Sequence, residues 1–235
     1  MLAVTFALPQ ESQDFRQALR HSSEISAGVL LGNLGGVEVL VVHTGVGPGA
    51  ASRKTAEFLA LHRPQFVLSA GFAGGLDPLL GTGDLLIATN FSAPGLVEKS
   101  RAQIAGDAHA FFGKLTSQPH PAESVAEKSA LARSTGALGV DMETASIATA
   151  CAHFAVPLLA ARAISDSALD PLPVPFAEWF DLAAQRPRPF ALVKYLARHP
   201  NRIRPFARFI HGLTPARQAF TRFITDFITG SSASA

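Results

Sequence analysis

The sequence predicts an α/β protein: a mixed central β-sheet flanked by helices, followed by a C-terminal helical extension. Three observations predict it. Along residues 1–185, short apolar β-rich runs alternate with stretches of helix composition, the pattern of strands joined by crossover helices. Residues 29–34 and 37–43 are two such runs joined through Gly35-Gly36, a hairpin signal that brings antiparallel pairing into the sheet. Of 235 residues, 48% are apolar and 16% charged, enough to bury one large core and too apolar for a disordered chain.

Element by element, residues 2–7 read as a short buried strand and 12–19 as a helix. The hairpin runs into Thr44-Gly45-Val46-Gly47-Pro48-Gly49, and residues 50–62 have helix composition. Residues 65–70 are an apolar strand that ends in a loop, Gly71-Phe72-Ala73-Gly74-Gly75. Residues 84–89 are a further strand, and 92–112, with weak periodicity, are loop or short helix. Then follow strand 114–117, helix 122–134, strand 138–140, helix 143–154, strand 157–164 and a helix at 176–184 that closes the body. Residues 144–161 form an uncharged stretch of 18 residues, long enough to raise the question of a membrane span. Pro157 interrupts it and Thr, Ser and His dilute it, so a buried helix followed by a buried strand is expected. There is no internal repeat.

The formal net charge of +2 hides an asymmetry. Residues 1–185, the expected catalytic domain, carry 11 Lys/Arg against 17 Asp/Glu; residues 186–235 carry nine Lys/Arg and one acid, Asp226. A mildly acidic body thus precedes a basic, aromatic-rich helical tail, which suggests an anionic surface, of membrane or nucleic acid, as partner. The competing reading is a solvated basic face whose apolar side packs on the body. The tail opens with Arg186-Pro187-Arg188-Pro189, a stiff linker. A helix is expected at 190–198, and a second one starting at Thr214-Pro215, with Thr as N-cap. In the latter, Ala216, Phe220, Phe223, Ile224, Phe227 and Ile228 fall on one face. Residues 231–235 are expected to fray. A single cysteine, Cys151, excludes a disulfide framework within the chain and a Cys-rich metal centre. The first eight residues lack the basic lead of a signal peptide, and a cytoplasmic location is expected.

Folds of this class bind ligands beyond the carboxyl ends of their strands. Four such places carry unusual residues: Pro9-Gln10-Glu11, the first glycine loop, the second glycine loop, and the pair Asp141-Met142-Glu143 with Ser165-Asp166. Glu11, Glu143 and Asp166 are thereby expected to converge on one crevice. Crowded acids have raised pKa values, which suits one of them to donate a proton near neutral pH. Taken singly these signals are weak. Glycine loops serve as tight turns, an acid in a first helical turn is favoured by the dipole, and Asp166 alone reads equally as a turn cap. Neither glycine loop is a Walker A motif. Gly45-Val46-Gly47-Pro48-Gly49-Ala50 fits a loose dinucleotide fingerprint, but the next strand ends at Ser69-Ala70 without the acid that would hold a ribose. No His/Asp/Glu cluster has metal-ligand spacing, and neither metal nor cofactor is expected.

Six motifs in one order carry a resemblance. They are Phe6-Ala7-Leu8-Pro9-Gln10-Glu11, Thr44-Gly45-Val46-Gly47, Gly71-Phe72-Ala73-Gly74-Gly75-Leu76, Gly83-Asp84-Leu85, Val140-Asp141-Met142-Glu143 and Arg162-Ala163-Ile164-Ser165-Asp166. The chain resembles the nucleoside phosphorylase superfamily over roughly residues 1–185, except 92–136, and in particular its methylthioadenosine/S-adenosylhomocysteine nucleosidase branch. The resemblance implies catalytic roles for Glu11, which activates water, and for Asp166, which protonates the purine N7. It implies that Glu143 binds the ribose hydroxyls, that Met142 packs on the sugar and that Arg162 sits near the attacking water. Val46, Gly47, Phe72, Ala73, Gly74 and Ser165 complete the implied substrate contacts. A homodimer is implied as well, and no nucleic-acid partner.

The resembling phosphorylases carry an arginine where this chain has Ser69, and a phosphate dianion favours bidentate arginine. Water is therefore the expected nucleophile. The resemblance is incomplete in three places. Phe72 replaces a small polar residue, the covering segment 92–136 is short, and the basic tail is absent from ordinary nucleosidases. His120, Phe111 and Phe112 are the candidates for stacking on the base. The short middle and Arg/aromatic tail resemble a hopanoid-associated phosphorylase subgroup, linked to removal of adenine from adenosylhopane. The leading expectation is a purine nucleosidase for an adenine nucleoside with a bulky 5′ group, held at the inner membrane face by residues 186–235. A phosphorylase, a futalosine hydrolase-like enzyme and a non-catalytic nucleoside-binding module are the alternatives.

Overall fold

A computed structural model describes residues 1–230; the frayed end expected at 231–235 lies outside the described residues. In chain order the elements are β1 (Leu2–Phe6), α1 (Gln13–Ala18), β2 (Arg20–Ser26), β3 (Val29–Leu34), β4 (Val37–His43), α2 (Pro48–Leu61), β5 (Val67–Gly75), β6 (Leu85–Ala88) and α3 (Pro94–Gln103). They continue with β7 (Ala110–Gly113), β8 (Leu115–Ser117), α4 (Val125–Thr135), β9 (Gly139–Asp141), α5 (Thr144–His153), β10 (Leu158–Asp166), α6 (Phe176–Trp179), β11 (Phe180–Asp181), β12 (Arg186–Pro187), α7 (Pro189–Arg198) and α8 (Ile203–Gly230). Ten strands make one mixed sheet, ordered β2-β3-β4-β1-β5-β10-β6-β7, with β9 added to β5 and β8 to β9.

The sheet divides at the site. Strand β1 runs parallel to β5 as far as the pair Thr5–Ser69. Beyond Ser69, β5 continues to Gly75 and takes up β9 only at Gly74. Residues 70–73 therefore have no strand partner on that side, and the carboxyl ends of β1 and β4 diverge from β5 there. This opening is where an α/β sheet accepts a ligand.

The expected strands and most helices are present within a few residues, and the uncharged stretch 144–161 divides into α5 and β10. Five elements differ. Residues 110–113, expected within a loop or short helix, form β7 beside β6. Gly71–Gly75 is not a loop: it is the end of β5, held by β10 alongside it. Residues 20–26, entirely exposed, form β2, an edge strand with no apolar alternation to signal it. Only Phe176–Trp179 of the expected 176–184 helix is helical. The chain then turns back through β11 and β12, and Arg186-Pro187 is a paired strand rather than a linker. Finally, no helix starts at Thr214-Pro215, because α8 runs unbroken through Pro215. Proline there removes the hydrogen bond to the carbonyl of residue 211. His211 is exposed, so water can satisfy that carbonyl, and the helix continues into the half that packs on the sheet from Ala216 onward.

The second half of α8 packs on the sheet. Ala216, Phe220, Phe223, Ile224, Phe227 and Ile228 are buried and share one core with Phe6, Phe15, Leu68 and Ile87. For this half of the tail the packed-face reading holds. The first half and α7 are different: Phe190 and Val193 remain exposed.

Candidate active site

Three carboxylates reach one cavity of about 410 Å³. Glu11 comes from the turn after β1, where its Oε2 accepts from the backbone N–H groups of Ala7 (2.8 Å) and Leu8 (3.2 Å). The turn is pinned by the fully buried Ser12, whose Oγ donates to the Pro9 carbonyl (3.0 Å) and lies 2.8 Å from His43 Nε2. Burial, then the charges of Arg16 and Lys54, push the His43 pKa down to about 4. His43 is thus neutral, and since the Ser12 proton is used on Pro9, its Nε2–H donates to Ser12. Burial raises Glu11 to about 7, against the opposing pull of the two N–H groups and Arg162.

Glu143 stands between β9 and α5. Gly47 presents its N–H to Glu143 Oε1 at 2.6 Å, which its φ of +85° allows; a side chain would strain that conformation. Burial, and next the charge of Asp141, raise Glu143 to about 8. Gln185 braces the same glycine loop: its Oε1 accepts from Val46 N–H (2.7 Å) and its Nε2 donates to Val46 O (2.8 Å). No local pattern signals this brace, which spans 139 positions.

Asp166 is placed by a bulge. Strand β10 keeps register with β5 up to Ile164–Ala73 and then pairs Asp166 with Gly74, leaving Ser165 as the extra residue. A bulge re-aims the side chain that follows it. Gly74 leaves room, since a Cβ there would come within 3.3 Å of Asp166 Oδ2. Ser165 Oγ donates to Asp166 Oδ1 at 2.5 Å, and Oδ2 accepts from Lys128. Lys128 is fully buried and spends its other two donors on the carbonyls of Ser167 and Asp170, both at 2.7 Å. The sequence reading passed over it, because a lysine in an amphipathic helix (α4) gives no signal of burial.

Val46, Phe72, Ala73, Gly74, Met142 and Ser165 line the cavity with the three acids. Gly47 acts behind it, through Glu143. Arg162 does not reach the large cavity. It is buried beneath it, donating to Asp141 (2.9 Å), to the Ser69 carbonyl (2.8 Å) and hydroxyl (3.0 Å), and to Thr144 Oγ1 (2.7 Å). It borders instead a second chamber of about 20 Å³, shared with Glu11, Glu143, Thr44, Ser69 and Phe72. A polar space of that size holds one water molecule.

The aromatic wall differs from the expected one. Phe111, Phe112 and His120 do not line the cavity; Phe176, Trp179 and Phe180 do. Phe112 instead lies under the Arg101 guanidinium, 4.1 Å from its ring centre. Phe176 and Trp179 meet edge to face, with ring centres 4.8 Å apart. The tail also contributes to the wall through Phe209, Leu213 and Arg217. Arg217 Nε donates to Asp14 Oδ2 at 2.8 Å. Among the described residues, no group of three or more His, Cys, Asp or Glu side chains is placed to hold a metal ion.

The sequence model of the phosphorylase superfamily matches residues 2–121 and 91–196. The chain belongs to the phosphorylase superfamily. The match runs through residues 92–136, where the six motifs carry no resemblance. Solved superfamily-type structures share the fold. The 5′-methylthioadenosine/S-adenosylhomocysteine nucleosidase of Streptococcus pneumoniae, solved with a transition-state inhibitor, has a TM-score of 0.73 and 19% identity, covering 97% of this chain and 98% of that one. The Neisseria meningitidis nucleosidase, bound to methylthio-immucillin-A, gives 0.72 and 22%, covering 97% and 98%. The futalosine hydrolase of Helicobacter pylori gives 0.72 and 19%, covering 97% and 96%. These matches span nearly the whole chain, so the expectation that ordinary nucleosidases lack a counterpart to the tail is corrected. The second half of α8 supplies part of this chain's core.

Proposed function

We propose that the protein is a purine nucleosidase, hydrolysing the N-glycosidic bond of an adenine nucleoside with a bulky 5′ group, adenosylhopane being the candidate. The observation that carries this reading is the small chamber of about 20 Å³ that Glu11 shares with Ser69 and Arg162, which has room for a water molecule beside the carboxylate. Glu11, half ionised near pH 7, takes a proton from that water as its oxygen attacks the anomeric carbon. The bond from sugar to purine breaks, and its electron pair goes to the base. Asp166 delivers the proton that N7 takes up. Glu143 binds the ribose hydroxyls and, once ionised, stabilises the positive charge that builds on the sugar. Met142 packs on the ring. The apolar wall of Phe176, Trp179, Phe209 and Leu213 suits a large apolar 5′ substituent. On this reading the enzyme is cytoplasmic and homodimeric, uses no cofactor, and works peripherally at the inner membrane face.

One observation favours phosphorolysis as the second reading. Arg217 brings a guanidinium to the cavity, supplying from the tail what Ser69 lacks. The two readings separate on adenine release from adenosine, methylthioadenosine and a lipid-linked adenosine, each with and without phosphate. Release from the bulky substrates without phosphate supports the nucleosidase. Release only with phosphate supports the phosphorylase, and no release from any of them contradicts both.

A further inference from the structure

We propose that α7 and the first half of α8 form a docking surface for an anionic lipid bilayer, with the cavity opening beside it. The proposal extends the nucleosidase reading and rests on it only for what is delivered to the site.

The apolar stripe of α8 is covered along half its length. From Ala216 onward it is buried beneath the sheet. Before that, Ile203 and Ile210, two turns apart on one face, are 49% and 44% exposed. On α7, Phe190 and Val193, one turn apart, are 89% and 65% exposed. Four large apolar side chains on two successive helices thus face water.

Charge identifies what covers them. Residues 182–225 contain nine Lys/Arg and no Asp or Glu. Lys194, Arg198, Arg202, Arg204 and Arg208 are exposed, and none forms a salt bridge among the described residues. A symmetric contact with a second copy would set these cations against one another. Nucleic acid would satisfy the charge and leave Val193, Ile203 and Ile210 in water. An anionic leaflet satisfies both, taking the aliphatic groups into its acyl boundary and the cations at its headgroups.

Part of the cavity's exposed rim adjoins this surface. Of its lining residues, only Gln10 and Pro187 are themselves exposed, and Pro187 lies two residues before α7. Phe209, which lines the cavity, is the neighbour of Ile210 on α8. An apolar group leaving the bilayer would reach the cavity without crossing bulk water.

Co-sedimentation of the full chain with phosphatidylglycerol/phosphatidylcholine vesicles and with phosphatidylcholine vesicles tests this. Binding to the anionic vesicles alone, weakened by salt, is expected. Each basic group at such a surface strengthens binding about fivefold, so replacing Arg202, Arg204 and Arg208 together by Ser weakens it on the order of 100-fold. Phe190→Ser with Val193→Ser also weakens it, and neither variant changes adenine release from soluble methylthioadenosine. Absence from both pellets, or variants that bind like the parent, would overturn the proposal. So would loss of a dimer in the Phe190/Val193 variant with vesicle binding intact, or tighter binding to an RNA oligonucleotide than to vesicles. Vesicle binding is read without turnover, and turnover of the soluble nucleoside without vesicles, so either can fail alone.

Discussion

Lys128 and Asp166 form a buried ion pair at the wall of the cavity. A buried pair is weak evidence for stability, but removing one partner strands the other charge. Asp166 therefore has two jobs in this account: it closes the coordination of Lys128, and it presents a proton to the base.

Lys128→Met is expected to destabilise the protein by about 3–5 kcal/mol, because it leaves a buried carboxylate unpaired. Lys128→Met combined with Asp166→Asn should recover part of that loss while adenine release stays abolished. Denaturant unfolding alongside kinetics checks both. Full activity in the stable double variant would remove the pair from the mechanism and leave it a structural brace.

Glu11→Gln should bind an adenine nucleoside as the parent does and lose turnover by roughly 10²-fold or more. With Glu11 raised to about 7 and Glu143 to about 8, and both acting as carboxylates, kcat/KM of the parent should climb with pH through 7 and level off only above about 8. A profile flat from pH 5 to 9 contradicts the role of Glu11 as base.

Glu143 has its pKa raised in the folded state to about 8 from an ordinary 4.5. Between those values the folded protein holds the proton more tightly than the unfolded chain. Stability from this group is therefore present below pH 4.5 and lost as pH rises through 8. Glu143→Gln should raise Tm by several degrees at pH 8.5 and much less at pH 5. Thermal melts at the two pH values check it; an equal shift at both would mean that the carboxylate stays ionised throughout.

Much of this arrangement was legible in the sequence, for a physical reason. Glu11 follows β1 and Asp166 ends β10, parallel to β5 like β1, so alternation of strand and helix places these two at one edge of the sheet; Glu143 reaches the same place because β9 runs antiparallel back along the end of β5. What escaped is what depends on distance along the chain. Lys128 is recognised only once α4 is seen against Ser167 and Asp170. Gln185 and Val46 meet through β11 and β12, whose two-residue strands leave no periodicity. Pro215 read as a helix start because proline favours that position; the apolar stripe continuing to either side of it outweighed the local preference. Exposed β2, polar but for Ile25, carried no alternation to read.

The central claim is that water, activated by Glu11, is the nucleophile. The most direct measurement follows a lipid-linked or 5′-thioether adenosine in ¹⁸O water, with and without phosphate, and analyses the sugar by mass spectrometry. The account predicts adenine release independent of phosphate, with one ¹⁸O on the anomeric hydroxyl of the sugar. Sugar 1-phosphate formed in step with adenine, at a rate that depends on phosphate, would contradict it.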